Sequence, residues 1–389
     1  MTKKWSSRLT FFAFVVLMVG LGSNDSLRGI FSTIFQEHFS LTTTQLGLIV
    51  TASYIGNLVF LLVGGNLSTR FSKKRVLQVL ILIWMAALAL FAFTSNYTVL
   101  LIGMALALGS STLLNTTMNL ITPLLFATAP GFFVNFLFFT QEIGTSGSQY
   151  ILGSHADGFA FWQHTNLVLL ILGAVAFVLL LFCNVPEEAA APADAPAQKG
   201  GYDWRIIVPY VLVFGFYFIA EHGVMNWMVA YGVDGLGLPQ ASAAKYLSVF
   251  FGGMMIGRLC LSPLVDKLGA LKSLAAFGGV SCVLYLIGSL GGVVTMPVWA
   301  ISGLSFSILY PTLVMSIRLY FPAQQVSGAA GTILSIASLA DILFNVGFGK
   351  LVDMTGYAVS IRVLPLSALA FFIVFMLFTK FCKPTQKLK

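Results

Sequence analysis

The chain has 389 residues, 58% of them hydrophobic and only 9% charged, and its 21 Lys+Arg against 13 Asp+Glu leave a formal net charge of +8. A soluble domain carries about 25% charged residues, so the polar shell of a cytoplasmic enzyme, a secreted disulfide scaffold or a disordered chain is missing. With a mean hydropathy of +0.92 the solvent of this chain is lipid, and its 35 Phe and 37 Gly suit a lipid face and close helix contacts respectively.

One helical crossing takes roughly 20 apolar residues. Twelve such stretches follow in order: 9–36, 44–66, 76–94, 98–120, 130–152, 165–184, 206–232, 244–264, 272–291, 296–318, 326–348 and 360–381. Runs such as Val79-Leu-Ile-Leu-Ile-Trp-Met85 do not alternate as barrel strands would, so the spans are helices. The first begins like a signal peptide, but its apolar stretch outruns a signal core, so it is expected to be retained. Between spans six and seven lies Pro186-Glu-Glu-Ala-Ala-Ala-Pro-Ala-Asp-Ala-Pro-Ala-Gln-Lys-Gly-Gly201, whose composition is that of a flexible linker. The expected domains are therefore 1–185, a cytoplasmic linker at 186–204, and 205–389.

Charge sets the orientation. Lys3, Lys4 and Arg8 precede span one; Arg70, Lys73, Lys74 and Arg75 follow span two; Lys199, Arg205, Lys267, Lys272, Arg318, Lys380, Lys383, Lys387 and Lys389 fall on that same side. The positive-inside rule puts both termini in the cytoplasm of a bacterial-type inner membrane. The net charge is this asymmetry rather than a nucleic-acid footprint. Cys183, Cys260, Cys282 and Cys382 read as small apolar residues, and no paired-Cys or His-rich spacing suggests a metal. No Walker loop is present, so the energy source is a gradient. Neither enzyme chemistry nor a cofactor is expected.

The halves repeat. Asp25 matches Glu221 at an offset of 196, Thr69 matches Asp266 and Arg75 matches Lys272 at 197, and Glu142 matches Asp341 and Pro123 matches Pro322 at 199. A near-constant offset argues for duplication. The fold expected is an all-α membrane protein of twelve transmembrane helices, in two six-helix halves related by a pseudo-twofold axis along the membrane normal. In parallel repeats of this kind a ligand site near the midplane between the halves is expected, with access alternating as they rock.

Gly65-Asn-Leu-Ser-Thr-Arg-Phe-Ser-Lys-Lys-Arg75 and Gly257-Arg258 with Pro263-Leu-Val-Asp-Lys-Leu-Gly269 resemble the two Gly-x-x-x-Asp-Arg-x-Gly-Arg-Lys loops of the major facilitator superfamily. The resemblance covers the whole chain and implies cytoplasmic gating by Arg70, Arg75, Arg258 and Asp266. The first copy departs from it, with Thr69 for Asp and Ser72 for Gly. Asn24-Asp25, Tyr217-x-x-x-Glu221 with Trp227, and Tyr310-Pro311-Thr312 resemble the fucose-permease-like sugar–proton symporters in particular. That subgroup usually has an acidic residue in span four, where this chain has Asn115 and Asn119.

Four carboxylates lie inside spans: Asp25, Glu142, Glu221 and Asp341. An ionised side chain in hydrocarbon costs at least about 2.5 kcal/mol, so such groups face a cavity or a partner. Desolvation brings a carboxylate's neutral and charged forms toward balance near neutral pH, which is what proton coupling requires. Arg28 follows Asp25 by one turn on the same face and either neutralises it or meets an anionic substrate. The amides of Asn24, Asn115, Gln141, Asn226 and Asn345 donate and accept, as hydroxyl-rich ligands require. Trp227 and Tyr310 would stack on a sugar's apolar face. The function expected is secondary active transport of a small polar solute, a sugar or polyol, by proton symport in a monomer surrounded by bilayer lipid. A drug/proton antiporter and an organic-anion carrier are the alternatives.

Overall fold

The computed structural model describes residues 3–126, 130–186 and 203–384, and the linker read at 186–204 falls almost wholly outside them. Helices follow in the order α1 Lys3–Ile30, α2 Ser32–His38, α3 Thr43–Arg70, α4 Lys73–Phe93, α5 Tyr97–Leu125, α6 Pro130–Ile151, α7 Phe159–Phe182, α8 Trp204–Ala230, α9 Gln240–Leu268, α10 Ala270–Leu290, α11 Met296–Ile301, α12 Gly303–Phe306, α13 Leu309–Ser316, α14 Ala323–Thr355, α15 Tyr357–Ser360 and α16 Val363–Phe381. Among the described residues, eleven helical stretches are long and apolar enough to cross a membrane. The stretch read at 130–152 is α6, a helix of 22 residues that is not one of the eleven.

Polar side chains start several helices. Asn96 accepts from the Thr98 and Val99 amides at α5, and Asp203 from the Arg205 amide at α8, supplying acceptors for N–H groups that the first turn leaves open. The outward faces are apolar. On α7, Val168, Ile171, Val175 and Val178 are exposed at helical spacing, while Trp162, Leu169, Ala176 and Leu180 are buried on the other side. That division suits a helix packed on protein by one face and on lipid by the other.

The chain forms two compact units, Met1–Leu41 with Leu48–Lys199, and Thr42–Gly47 with Gly200–Lys389. In the first, α1 packs on α6 and α7, and α4 on α5 and α7. In the second, α8 packs on α14 and α16, and α10 on α11, α13 and α16. These are matching pairs, helix for helix. The second unit takes in the first turn of α3, where Asp353 accepts from the Thr43 and Thr44 amides at 2.8 Å each. A carboxylate there meets orphan amides and the positive end of the helix dipole.

Two spans depart from the expected continuous helices. The first stops at Ile30 and resumes at Ser32. The tenth is broken into α11, α12 and α13. Its serines account for the break: Ser302, Ser305 and Ser307 turn their hydroxyls onto the carbonyls of Trp299, Ser302 and Leu304. Such local bonds compete with the helical ladder.

Candidate functional site

In the first unit the polar residues are set by a close crossing of α1 and α6. A Cβ on Gly22 would collide with the Gln141 carbonyl oxygen, and one on Gly144 with that of Val19. Only glycine permits this approach. Hydrogen bonds cross the same contact, from Ser23 Oγ to Gly144 O at 3.3 Å and from Thr145 Oγ1 to Gly22 O at 3.2 Å.

Above this crossing α1 presents Asn24, Asp25 and Arg28 within two turns. Asn24 is buried and its Oδ1 accepts from the Trp84 indole at 2.9 Å. Asp25 Oδ2 accepts from Ser111 Oγ at 3.2 Å. Arg28 is buried, with its guanidinium carbon 5.7 Å from the centre of the Tyr54 ring. A chain of amides adjoins on α5 and α6. Asn119 Nδ2 donates to Asn115 Oδ1 at 2.6 Å, and Asn115 Nδ2 to Gln141 Oε1 at 2.7 Å. Glu142, next to Gln141, is half-buried. Span four, which holds amides rather than a carboxylate, thus engages α6 by neutral hydrogen bonds.

The second unit holds a more aromatic cluster. Glu221 is buried on α8, and the hydroxyls of Tyr217, Tyr285 and Tyr310 lie within its electrostatic reach. Tyr310 stacks with Tyr217 at 6.1 Å between ring centres. Arg258 acts electrostatically on both Tyr217 and Tyr310, so this expected gate residue also reaches the surroundings of Glu221. The ring of His222 lies on Phe218, 5.2 Å away and nearly parallel. Trp227 is fully buried; its indole donates to Asn345 Oδ1 at 2.8 Å and its ring meets Phe348. Trp227 and Asn345, both expected at a ligand, are thus engaged with each other. Asn226 is buried beside them in sequence.

Of the remaining expected residues, Arg75 is exposed at the start of α4. The side chains of Arg70, Asp266 and Asp341 lie outside the described residues. The neighbours Tyr54, Ser111 and Tyr285 carry no sequence signal of a site. A serine or tyrosine in an apolar helix reads as packing until a carboxylate or guanidinium is placed against it. Tyr217 does have one, standing four residues before Glu221 on the same helix face.

The chain is 24% identical to an L-fucose-proton symporter of Escherichia coli over 74% of its own length and 75% of that protein's. It is 27% identical to a glucose/galactose transporter of Brucella abortus, over 82% and 81%. Its fold superposes on the crystal structure of a D-xylose-proton symporter with a TM-score of 0.78, at 15% identity and over 99% of both chains. The fold is thus the all-helical, twelve-span, two-domain one that the repeat in the sequence led us to expect. The family model described as the Major Facilitator Superfamily matches residues 10–344, and the chain belongs to that superfamily.

Proposed function

We propose that the chain is a proton-coupled symporter that carries a small polyhydroxylated solute, a sugar or polyol, across a bacterial inner membrane by alternating access. Asp25 carries this reading. It sits in an apolar helix, one oxygen accepts a single long hydrogen bond from Ser111, and the other is buried with no hydrogen-bond partner. A carboxylate so sparsely satisfied is costly while charged and far less so when protonated. It can therefore take up a proton and release it as its surroundings change. The named sugar symporters among the relatives support the choice of solute, as does the amide chain Asn119–Asn115–Gln141, which can meet hydroxyls as donor and acceptor.

In this scheme Asp25 is the first proton carrier and Glu221 its counterpart in the second half, with Glu142 and Asp341 as further proton sites. Asn24, Arg28, Asn115, Gln141, Asn226, Trp227, Tyr310 and Asn345 are the polar and aromatic set from which the substrate contacts are drawn. Arg70, Arg75, Arg258 and Asp266 gate the cytoplasmic side, both termini are cytoplasmic, and the protein works as a monomer. The test is uptake into proteoliposomes with an imposed pH gradient. Accumulation of a sugar is expected to follow the gradient. Asp25→Asn, fixed in a neutral state, is expected to abolish accumulation while leaving solute exchange at equal concentrations. Full accumulation by Asp25→Asn would remove Asp25 from the mechanism.

A further inference from the structure

Arg28 is a feature of the first unit that a neutral sugar does not require. It is 6% exposed, and its Nε is buried with no hydrogen-bond partner. The face of Tyr54 attracts the cation but offers no acceptor to that N–H. One turn earlier, Asp25 Oδ1 is also buried without a hydrogen-bond partner. If Arg28 served only to neutralise Asp25, these two atoms would be spent on each other, because the guanidinium fork matches a carboxylate. Arg28 does act on Asp25 through space, yet its Nε–H and Asp25 Oδ1, one helical turn apart, are both left without a hydrogen bond. A buried cation with an unmet donor is destabilising, and an anionic ligand would offset that cost.

We infer that Arg28 receives a carboxylate of the transported solute and Asp25 Oδ1 a hydroxyl, so that the preferred substrate class is the hydroxylated monocarboxylates, the sugar acids, rather than neutral sugars. Three residues of helix rise about 4.5 Å, so carboxylate and hydroxyl need only a few bonds between them, as in a hexuronate or an aldonate. A single guanidinium with one carboxylate beside it suits a singly charged planar anion. A dianionic phosphate would meet repulsion from Asp25.

This inference rests on the symport reading above, and the two fail in different experiments. Binding of D-galacturonate and D-galactose to the purified full-length protein is measured by calorimetry. Galacturonate is expected to bind more tightly by about ten- to a hundredfold, the range of charge-assisted hydrogen bonds. Arg28→Gln is expected to erase that preference, and Arg28→Lys, which keeps the charge but not the fork, to keep part of it. Equal affinities in the wild type, no galacturonate binding, or a preference that survives Arg28→Gln would each overturn the inference. The wild-type comparison stands even if a variant does not fold. Binding with the expected preference, but without accumulation driven by a pH gradient, would overturn the symport reading alone.

Discussion

Asn24 and Asn345 act alike in the two units, each accepting from an indole that is sealed from solvent, Trp84 at 2.9 Å and Trp227 at 2.8 Å. An indole N–H has nowhere else to donate once the amide is gone. Asn24→Ala is therefore expected to destabilise the protein by about 1–3 kcal/mol, the cost of an orphaned buried donor. Thermal unfolding in detergent measures it. In the double variant with Trp84→Phe the loss should be smaller than the sum of the two single losses. These residues also mark how far the sequence could be read. Asn24 and Trp227 stand out as polar or aromatic side chains in apolar helices, but whether such a group faces a ligand or a neighbouring helix depends on contacts tens of residues away. Trp227, expected at a sugar, lies against Phe348 with its indole on Asn345, contacts that no local pattern in the sequence displays.

At the scale of elements, the two copies of the superfamily loop turn the same corner with different chemistry. α4 and α10 both have 21 residues and are displaced by 197 at each end. Before α4, Ser72 takes φ −59° and its side chain accepts from the Arg75 amide. Before α10, Gly269 takes φ +81° and ψ 155°, a region essentially closed to other residues. The departure of Ser72 from the family pattern thus marks a side-chain cap where the other copy uses glycine's backbone freedom. Gly269→Ala is expected to cost on the order of 1–3 kcal/mol, lowering the unfolding temperature. No neighbouring atom lies within 4 Å of a Cβ there, so the strain is purely of the backbone and a larger side chain should add little more. The broken tenth span shows the opposite limit of legibility. Its hydropathy over 296–318 reads as one helix, because composition is insensitive to serines that bond backward onto their own chain.

For the whole molecule, what the sequence displays best is what the bilayer enforces. Helix length and a repeat near 197 residues follow from solvent and duplication, and they led to the fold directly. The matched packing of α1 on α6 and α8 on α14 gives that repeat its physical content. The chemistry is less symmetric than the fold. The first unit sets Arg28 and Ser111 against Asp25, whereas the second sets tyrosines around Glu221, with Arg258 reaching those tyrosines. Duplication preserves helix contacts, which depend on small residues and apolar volume, while the polar groups within them are free to diverge. That divergence is why Arg28, with no counterpart in the second half, separates a sugar-acid carrier from a neutral-sugar one more sharply than the shared carboxylates do.

The sealed indoles have an optical consequence. Trp84, Trp162, Trp227 and Trp299 are wholly buried, whereas Trp5 and Trp204 are more than half exposed. Each unit therefore holds a buried native fluorophore, Trp84 bonded to the neighbour of Asp25 in the first and Trp227 on the helix of Glu221 in the second, and emission can be read without a label. A solute held by Arg28 and Asp25 is expected to change the emission intensity. Trp84→Phe is expected to remove most of that change and Trp227→Phe little of it, so that a spectrum alone would tell which half of the molecule the solute has reached.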